Sequence, residues 1–182
     1  IKNKNFKKLE NIELYRYLLN EISSEKVYID TDSDKILKKA KKDKLLKKFT
    51  IYKRNQKFIK LETSKKFKLS PALLMIENFI KNHCSDNDIV VTSHVTSPFV
   101  KKETIYKAIK FLSKGYDSVS SVTLNREFGL IRKGNVYMRI NFEDNKINKT
   151  QDLNPIILLN GSFFIFKAKT FMKYNSRYSK KH

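Results

Sequence analysis

Three short polar runs carry the residues able to do chemistry: Asp30-Thr31-Asp32-Ser33-Asp34, Ser93-His94-Val95-Thr96-Ser97-Pro98, and Gln151-Asp152 through Asn160-Gly161. Carboxylates at alternate positions, as at Asp30, Asp32 and Asp34, could gather a divalent cation. More often, an Asp-x-Asp run at a strand end caps the next helix and supplies its acidic first turn. His94 could exchange a proton near neutral pH, or be a structural histidine satisfied by its neighbours. Thr96 and Ser97 either offer hydroxyls to a ligand or, with Pro98, simply start a helix. Several other chemistries are excluded. The four glycines, Gly115, Gly129, Gly134 and Gly161, form no dinucleotide fingerprint. Gly129 and Gly134 have P-loop spacing, but Asn135 and Val136 follow where Lys and Ser/Thr would have to meet phosphate and metal. His83, Cys84, His94 and His182 make no Cys/His metal pattern, so no metal ligand is assigned.

Periodicity indicates the elements that hold these runs. Apolar residues at Ile12, Tyr15, Leu18, Leu19 and Ile22 predict a helix over 9–22. A strand over 27–29 leads into the acidic run, helical spacing follows over 33–46, and a strand over 49–52 succeeds it. Ser70-Pro71 is a helix start with Ser as cap and Pro in the first turn, ahead of 73–80. A strand over 88–92, a helix over 102–113, strands over 118–124 and 135–142, and a buried strand over 163–166 complete the series. Phe163, Phe164, Phe166 and Phe171 read as core. Strands spaced by helices imply an α/β fold with a mainly parallel, mixed sheet and ligands beyond the carboxyl ends of its strands.

The chain has 182 residues and a formal charge of +21, from 39 Lys+Arg against 18 Asp+Glu. That length supports one core. Only six of the cations are arginines, and the lysine runs over 38–48 and 57–68 sit in amphipathic stretches. Lysine bias of the kind that accompanies AT-rich genomes is one reading; polyanion binding is the other. No RNP, KH or helix-turn-helix signature supports a nucleic-acid partner. No apolar run approaches a membrane span, and no signal-peptide pattern opens the sequence. With the single cysteine, Cys84, the expected location is the cytoplasm.

Residues 88–99, a following helix, and then Asp117-Ser118-Val119 resemble the strand, Thr-Ser-Pro turn and Asp-Ser-Val strand of the acylneuraminate cytidylyltransferases. Other pieces agree in order. Residues 1–5 with Leu9 and Leu14 resemble the tail of that family's nucleotide-binding loop and its first helix; 27–36 resembles its strand followed by Ser/Thr-Asp-Ser-Asp/Glu-x-Ile. Tyr52-Lys53-Arg54 resembles its x-x-Arg-Pro step, with Asn55 in place of Pro. Gln151-Asp152-Leu153 with Asn160-Gly161 resembles its Gln-Asp-Leu-Pro … Asn-Gly element.

The resemblance implies a Rossmann-like three-layer nucleotidyltransferase fold over 1–182, with residues 135–162 as a dimerisation and sugar-binding extension. It implies transfer of CMP from CTP to the anomeric hydroxyl of a sialic-acid-like nonulosonic acid, with Mg²⁺ organising the triphosphate. Lys2, Lys4, Asn5, Arg54 and Ser70 would meet the nucleotide. His94, Thr96, Ser97, Lys149, Gln151 and Asn160 would meet the sugar. No catalytic residue is assigned. Asn5 could instead cap a local turn, and Lys149 could be one more surface lysine. The chain departs from the family at His94, where Gln is usual, at Val100, where Arg is usual, and at Thr150, where Arg precedes Gln-Asp. A related enzyme for another acidic sugar (Kdo, legionaminic or pseudaminic acid) therefore stays open, as does a non-catalytic homologue that only binds nucleotide. The family's Arg- and Gly-rich loop and its Asp-x-Asp metal element have no counterpart in the sequence. The expectation is a piece trimmed at both ends, inactive or nearly so by itself, with its metal ligands elsewhere.

Overall fold

The computed structural model describes residues 4–143, 145–146 and 149–182, the side chain of Lys4 excepted. It divides into two compact units, 1–119 with 162–182, and 120–161.

In the first unit a 3-10 turn over Lys4–Phe6 precedes a two-stranded hairpin, β1 (Lys8–Leu9) and β2 (Ile12–Glu13). Glu10 and Asn11 take φ of 47° and 66°, the left-handed pair that a tight two-residue hairpin needs. The helix expected from residue 9 is therefore corrected: α1 spans Leu14–Glu21, and Ile12 is exposed. The local turn overrides the apolar spacing at its start. Tyr15, Leu18 and Leu19, at i, i+3 and i+4, are the buried stripe.

β3 (Tyr28–Thr31) pairs in parallel with β4 (Thr50–Lys53), joined through α2 (Asp34–Ala40). Ser33 caps α2 by accepting the Ile36 N–H, with Asp34 in the first turn. Ile36, Leu45, Leu46 and Phe49 then close over Tyr15 and Leu19 in one apolar cluster. A helix that sequence spacing left undetermined, α3 (Gln56–Thr63), follows β4 directly, and Asn55 caps it by accepting the Lys57 N–H at 2.8 Å. α4 (Ala72–His83) starts one residue later than Ser70-Pro71 predicts: Pro71, not Ser70, stands at the N-cap, and Ser70 Oγ accepts the Ala72 N–H at 3.3 Å from the residue before it.

β5 (Ile89–Ser93), α5 (Lys102–Ser113) and α6 (Ala168–Tyr174) complete this unit with the start of β6 (Ser118–Asn125) and the end of β9 (Ile156–Lys167), two strands whose remaining residues, 120–125 and 156–161, belong to the second unit. The strands do not join into the one mainly parallel sheet that their alternation predicts. Among the described residues they make four separate sheets, and β9 lies between β5 and β6. β9 runs antiparallel to β5, Phe166 opposite Val90 and Phe164 opposite Thr92. A strand's apolar pattern does not state which neighbour it takes, or in which direction.

The run Phe163-Phe164-Ile165-Phe166 has no polar alternation because both faces of the strand are covered. Phe163 and Ile165 point into a cluster with Ile105 and Leu112 of α5. Phe164 and Phe166 point the other way, into a cluster with Ile80, Val90 and Phe171. Ser118 is fully buried, and its hydroxyl is satisfied by Ser179 and by His182 Nδ1 at 2.8 Å.

In the second unit, β7 (Leu130–Lys133) pairs antiparallel with β8 (Val136–Arg139). β8 falls within the strand expected over 135–142; its partner β7 was not foreseen. The strand expected over 163–166 is also corrected, since β9 begins at Ile156 and so carries Asn160-Gly161 inside it. Gly161 takes φ +70° within the strand, a conformation that glycine adopts without strain. No described helix is long and apolar enough to cross a membrane.

Candidate functional site

In the parallel pair, Asp30 lies opposite Tyr52 and Thr31 opposite Lys53, so the two carboxyl ends are level. The Arg54 N–H donates to the Thr31 carbonyl at 2.8 Å, extending the ladder one residue beyond β4. Its guanidinium, largely buried, donates from Nε to Asp30 Oδ1 at 3.1 Å and from Nη1 to Glu62 Oε2 at 2.8 Å. Burial pushes the Asp30 carboxyl above its ordinary value, and the adjacent Arg54 charge only partly offsets it. Burial, followed by the Asp30 charge, pushes the Tyr52 phenol up to about 12. The metal-trio reading of the acidic run fails in this geometry. Asp30 is committed to Arg54, Asp34 pairs with Lys53 at 3.0 Å, and among the described residues no three His, Cys, Asp or Glu converge on a cation position.

Asn5 sits in the 3-10 turn ahead of β1, and its Oδ1 is buried without a hydrogen-bond partner among the described residues. A turn-capping role would have it accept a backbone N–H, and it accepts none there. Phe6 beside it packs edge-on to Tyr15, with Lys35 Nζ 4.2 Å from its ring centre. Lys2 and the side chain of Lys4 lie outside the described residues. Ser70 is exposed at the start of α4, its hydroxyl engaged in the helix start.

The second polar run leaves β5 as a tight turn. Ser97 N–H donates to the His94 carbonyl at 2.9 Å, and Val100 N–H donates to the Ser97 carbonyl at 3.4 Å. Val95 is drawn into the cluster around Tyr15 and Leu19, which leaves His94 and Thr96 exposed and Ser97 half-buried. The far end of this loop is tied to α1, where the Glu21 carboxylate accepts the Lys102 N–H and meets Lys101 Nζ. His94, Thr96 and Ser97 are thus brought together by one turn.

Lys149, Gln151 and Asn160 belong to the second unit. Lys149 and Gln151 are exposed at a 3-10 turn over Thr150–Asp152. Leu153, next in the Gln-Asp-Leu run, is almost fully buried. Arg126 holds this segment by its main chain, Nη1 donating to the Leu153 carbonyl at 2.8 Å and the Gln151 carbonyl at 3.3 Å. Asn160 is built into the strands: Ser121 Oγ donates to its Oδ1 at 2.6 Å, and its Nδ2 donates to Thr123 Oγ1 at 3.3 Å.

Asp30 as an arginine partner, Glu62 and Arg126 escaped sequence reading. The scarcity of arginine was the available signal, because a chain that builds its surface from lysine keeps arginine where a planar, multiply bonded cation is needed.

No curated protein matches the chain in sequence comparison. The sequence model of a family described as cytidylyltransferase matches residues 1–135, a span holding Asn5, Arg54, Ser70, His94, Thr96 and Ser97 and ending before Lys149, Gln151 and Asn160. With the greater part of its length matched, including the turn after β5 and the arginine after β4, the chain belongs to the cytidylyltransferase family.

Proposed function

We propose that this protein transfers CMP from CTP to a sialic-acid-like nonulosonic acid. The sugar's anomeric oxygen bonds to the α-phosphorus, the bond from that phosphorus to the bridging oxygen breaks, pyrophosphate leaves, and the hydroxyl proton is lost. The family membership supports cytidylyl transfer from CTP in general. The observation that carries the reading to this chain's residues is Arg54, a fixed guanidinium at the carboxyl end of the parallel pair, where α/β folds bind nucleotides. Asn5, with its buried unpaired acceptor, suits a donor on the same ligand. His94, Thr96 and Ser97 would face the sugar from their turn, with Lys149, Gln151 and Asn160 as further sugar contacts. The three-layer Rossmann-like arrangement, Mg²⁺ as the companion of CTP, a homodimer and a cytoplasmic location belong to the same proposal. The described residues offer no cluster for the metal, so no ligand to it is named and no step is assigned to it.

A second reading, activation of Kdo, legionaminic or pseudaminic acid, is favoured by His94 and Val100 in place of the Gln and Arg that the sialic-acid enzymes carry. Incubating the full-length protein with CTP, Mg²⁺ and a panel of these acids, and assaying pyrophosphate, tests both. Release with N-acetylneuraminic acid supports the first, and release only with another acid supports the second. No release with any acid, while CTP binds, overturns the enzymatic reading in favour of a nucleotide-binding homologue.

A further inference from the structure

The Arg54 guanidinium has five N–H groups, and two of them are committed to carboxylates that come from different elements: Asp30 from β3 and Glu62 from α3. The two anchors approach from different sides, one at Nε and one at Nη1, so they fix both the position of the plane and its rotation. Both hydrogens of Nη2 and one of Nη1 have no partner among the described residues. A lone arginine on a strand end would sample many rotamers, and an arginine with one carboxylate could still swing about that contact. Two anchors remove that freedom and leave a planar donor edge of the kind that pairs with phosphate or with the acceptor edge of a base. The local sequence builds the second anchor: Asn55, directly after Arg54, caps α3, and two turns of that helix bring Glu62 back over Arg54.

We propose that Asp30 and Glu62 are positioning residues that hold Arg54 with its Nη2 edge presented to the bound nucleotide. This rests on the reading that Arg54 contacts CTP. The competing role, a purely structural ion network, would have the carboxylates support the fold without influencing nucleotide affinity.

The test is a double-mutant cycle on the full-length protein, with the dissociation constant for CTP and the thermal midpoint read for each variant. Glu62 is the informative anchor because its side chain is more than half exposed and its loss does not open the core. Arg54→Ala is expected to weaken CTP binding about tenfold or more, as for loss of a charge-assisted hydrogen bond. Glu62→Ala should weaken it about three- to tenfold with little change in thermal midpoint, and Glu62→Gln, which keeps an acceptor, should recover part of that loss. Because the anchor acts through Arg54, adding Glu62→Ala to Arg54→Ala should weaken binding no further. Asp30→Asn is the second anchor variant and should follow the same non-additive pattern. The proposal is overturned if Arg54→Ala weakens CTP binding while Glu62→Ala and Asp30→Asn do not, or if the effects simply add. If Arg54→Ala itself leaves CTP affinity intact, the nucleotide role of Arg54 fails first and the positioning role falls with it.

Discussion

The Lys102 N–H, the first of α5, donates to Glu21 Oε1, in the last residue of α1, at 3.1 Å. α5 has no side-chain cap of its own, since Lys101 stands at its N-cap position. Glu21, 81 residues earlier, therefore satisfies one of the free N–H groups of that helix and places a negative charge at its positive end. This hydrogen bond, with the Lys101 charge assisting, holds the Glu21 carboxyl below its ordinary value of 4.5. A carboxyl lowered in the folded state adds stability above its ordinary value and loses it as pH falls through the folded-state value. Glu21→Ala should thus lower the thermal midpoint at pH 7 and speed amide exchange at the start of α5. The gap from the unaltered protein should narrow steadily as pH is taken below 4.5. A gap independent of pH would refute this role for the charge.

Asn55 stands where the family's Pro would be, at φ −60° and ψ 134°, a backbone conformation that Pro also adopts. What Asn adds is a side-chain acceptor for the Lys57 N–H. Asn55→Ala should cost about 1 kcal/mol by urea unfolding, the usual worth of an N-cap. A change within error would mean that α3 is held by its packing at Phe58 alone.

Phe166 and Phe171 are fully buried and stack at 5.2 Å between ring centres, tying β9 to α6. Phe166→Ala removes a ring from a packed interior and should cost about 3–5 kcal/mol, with Phe166→Leu costing less. Denaturant midpoints at equal slope decide the matter, and equal losses for both variants would argue against a cavity as the cause.

Every residue of β7 and β8 is exposed, Ile131 at 56 % and Tyr137 at 63 % among them. Exposed apolar residues on a two-stranded ribbon are what a contact surface would use. The proposed homodimer through residues 135–162 would cover Tyr137 of β8, and Ile131, which lies just outside that range, is paired with Met138 in the same ribbon. Sedimentation of the full-length protein should give a dimer, and Ile131→Glu with Tyr137→Glu should shift it to monomer. A monomeric unaltered protein would remove the dimer from the proposal, and a dimer insensitive to both changes would move it to another surface.

Local chemistry in the sequence was enough to place several elements with their physical causes. Lys102 to Ser113 reads as one helical stripe and forms α5 with those ends; the acidic run reads as a helix start, and α2 begins there with Asp34 in its first turn, although Ser33 is the residue that caps it; Ser70-Pro71 reads as a helix start, and α4 begins directly after it. The turn after β5 is likewise legible, because Pro98 and the short polar residues before it favour a turn whatever surrounds them. These features depend on residues within a turn or two of one another, so a single stretch of chain determines them.

What required the tertiary structure is non-local in each case. Nothing in the apolar run at Phe163 states that it lies between β5 and β6 and runs antiparallel to β5, because a strand covered on both faces shows no alternation from which to read its neighbours. The left-handed pair Glu10-Asn11 cut short a helix whose spacing was otherwise sound. Most consequentially, the acidic run reads as a helix cap or a metal trio, and an ion pair of Asp30 with an arginine 24 residues away is not among those readings. Folding decided it by bringing Arg54 within 3.1 Å of Asp30 in a half-buried corner, where an unpaired charge is costly and a paired guanidinium still keeps three N–H donors uncommitted among the described residues.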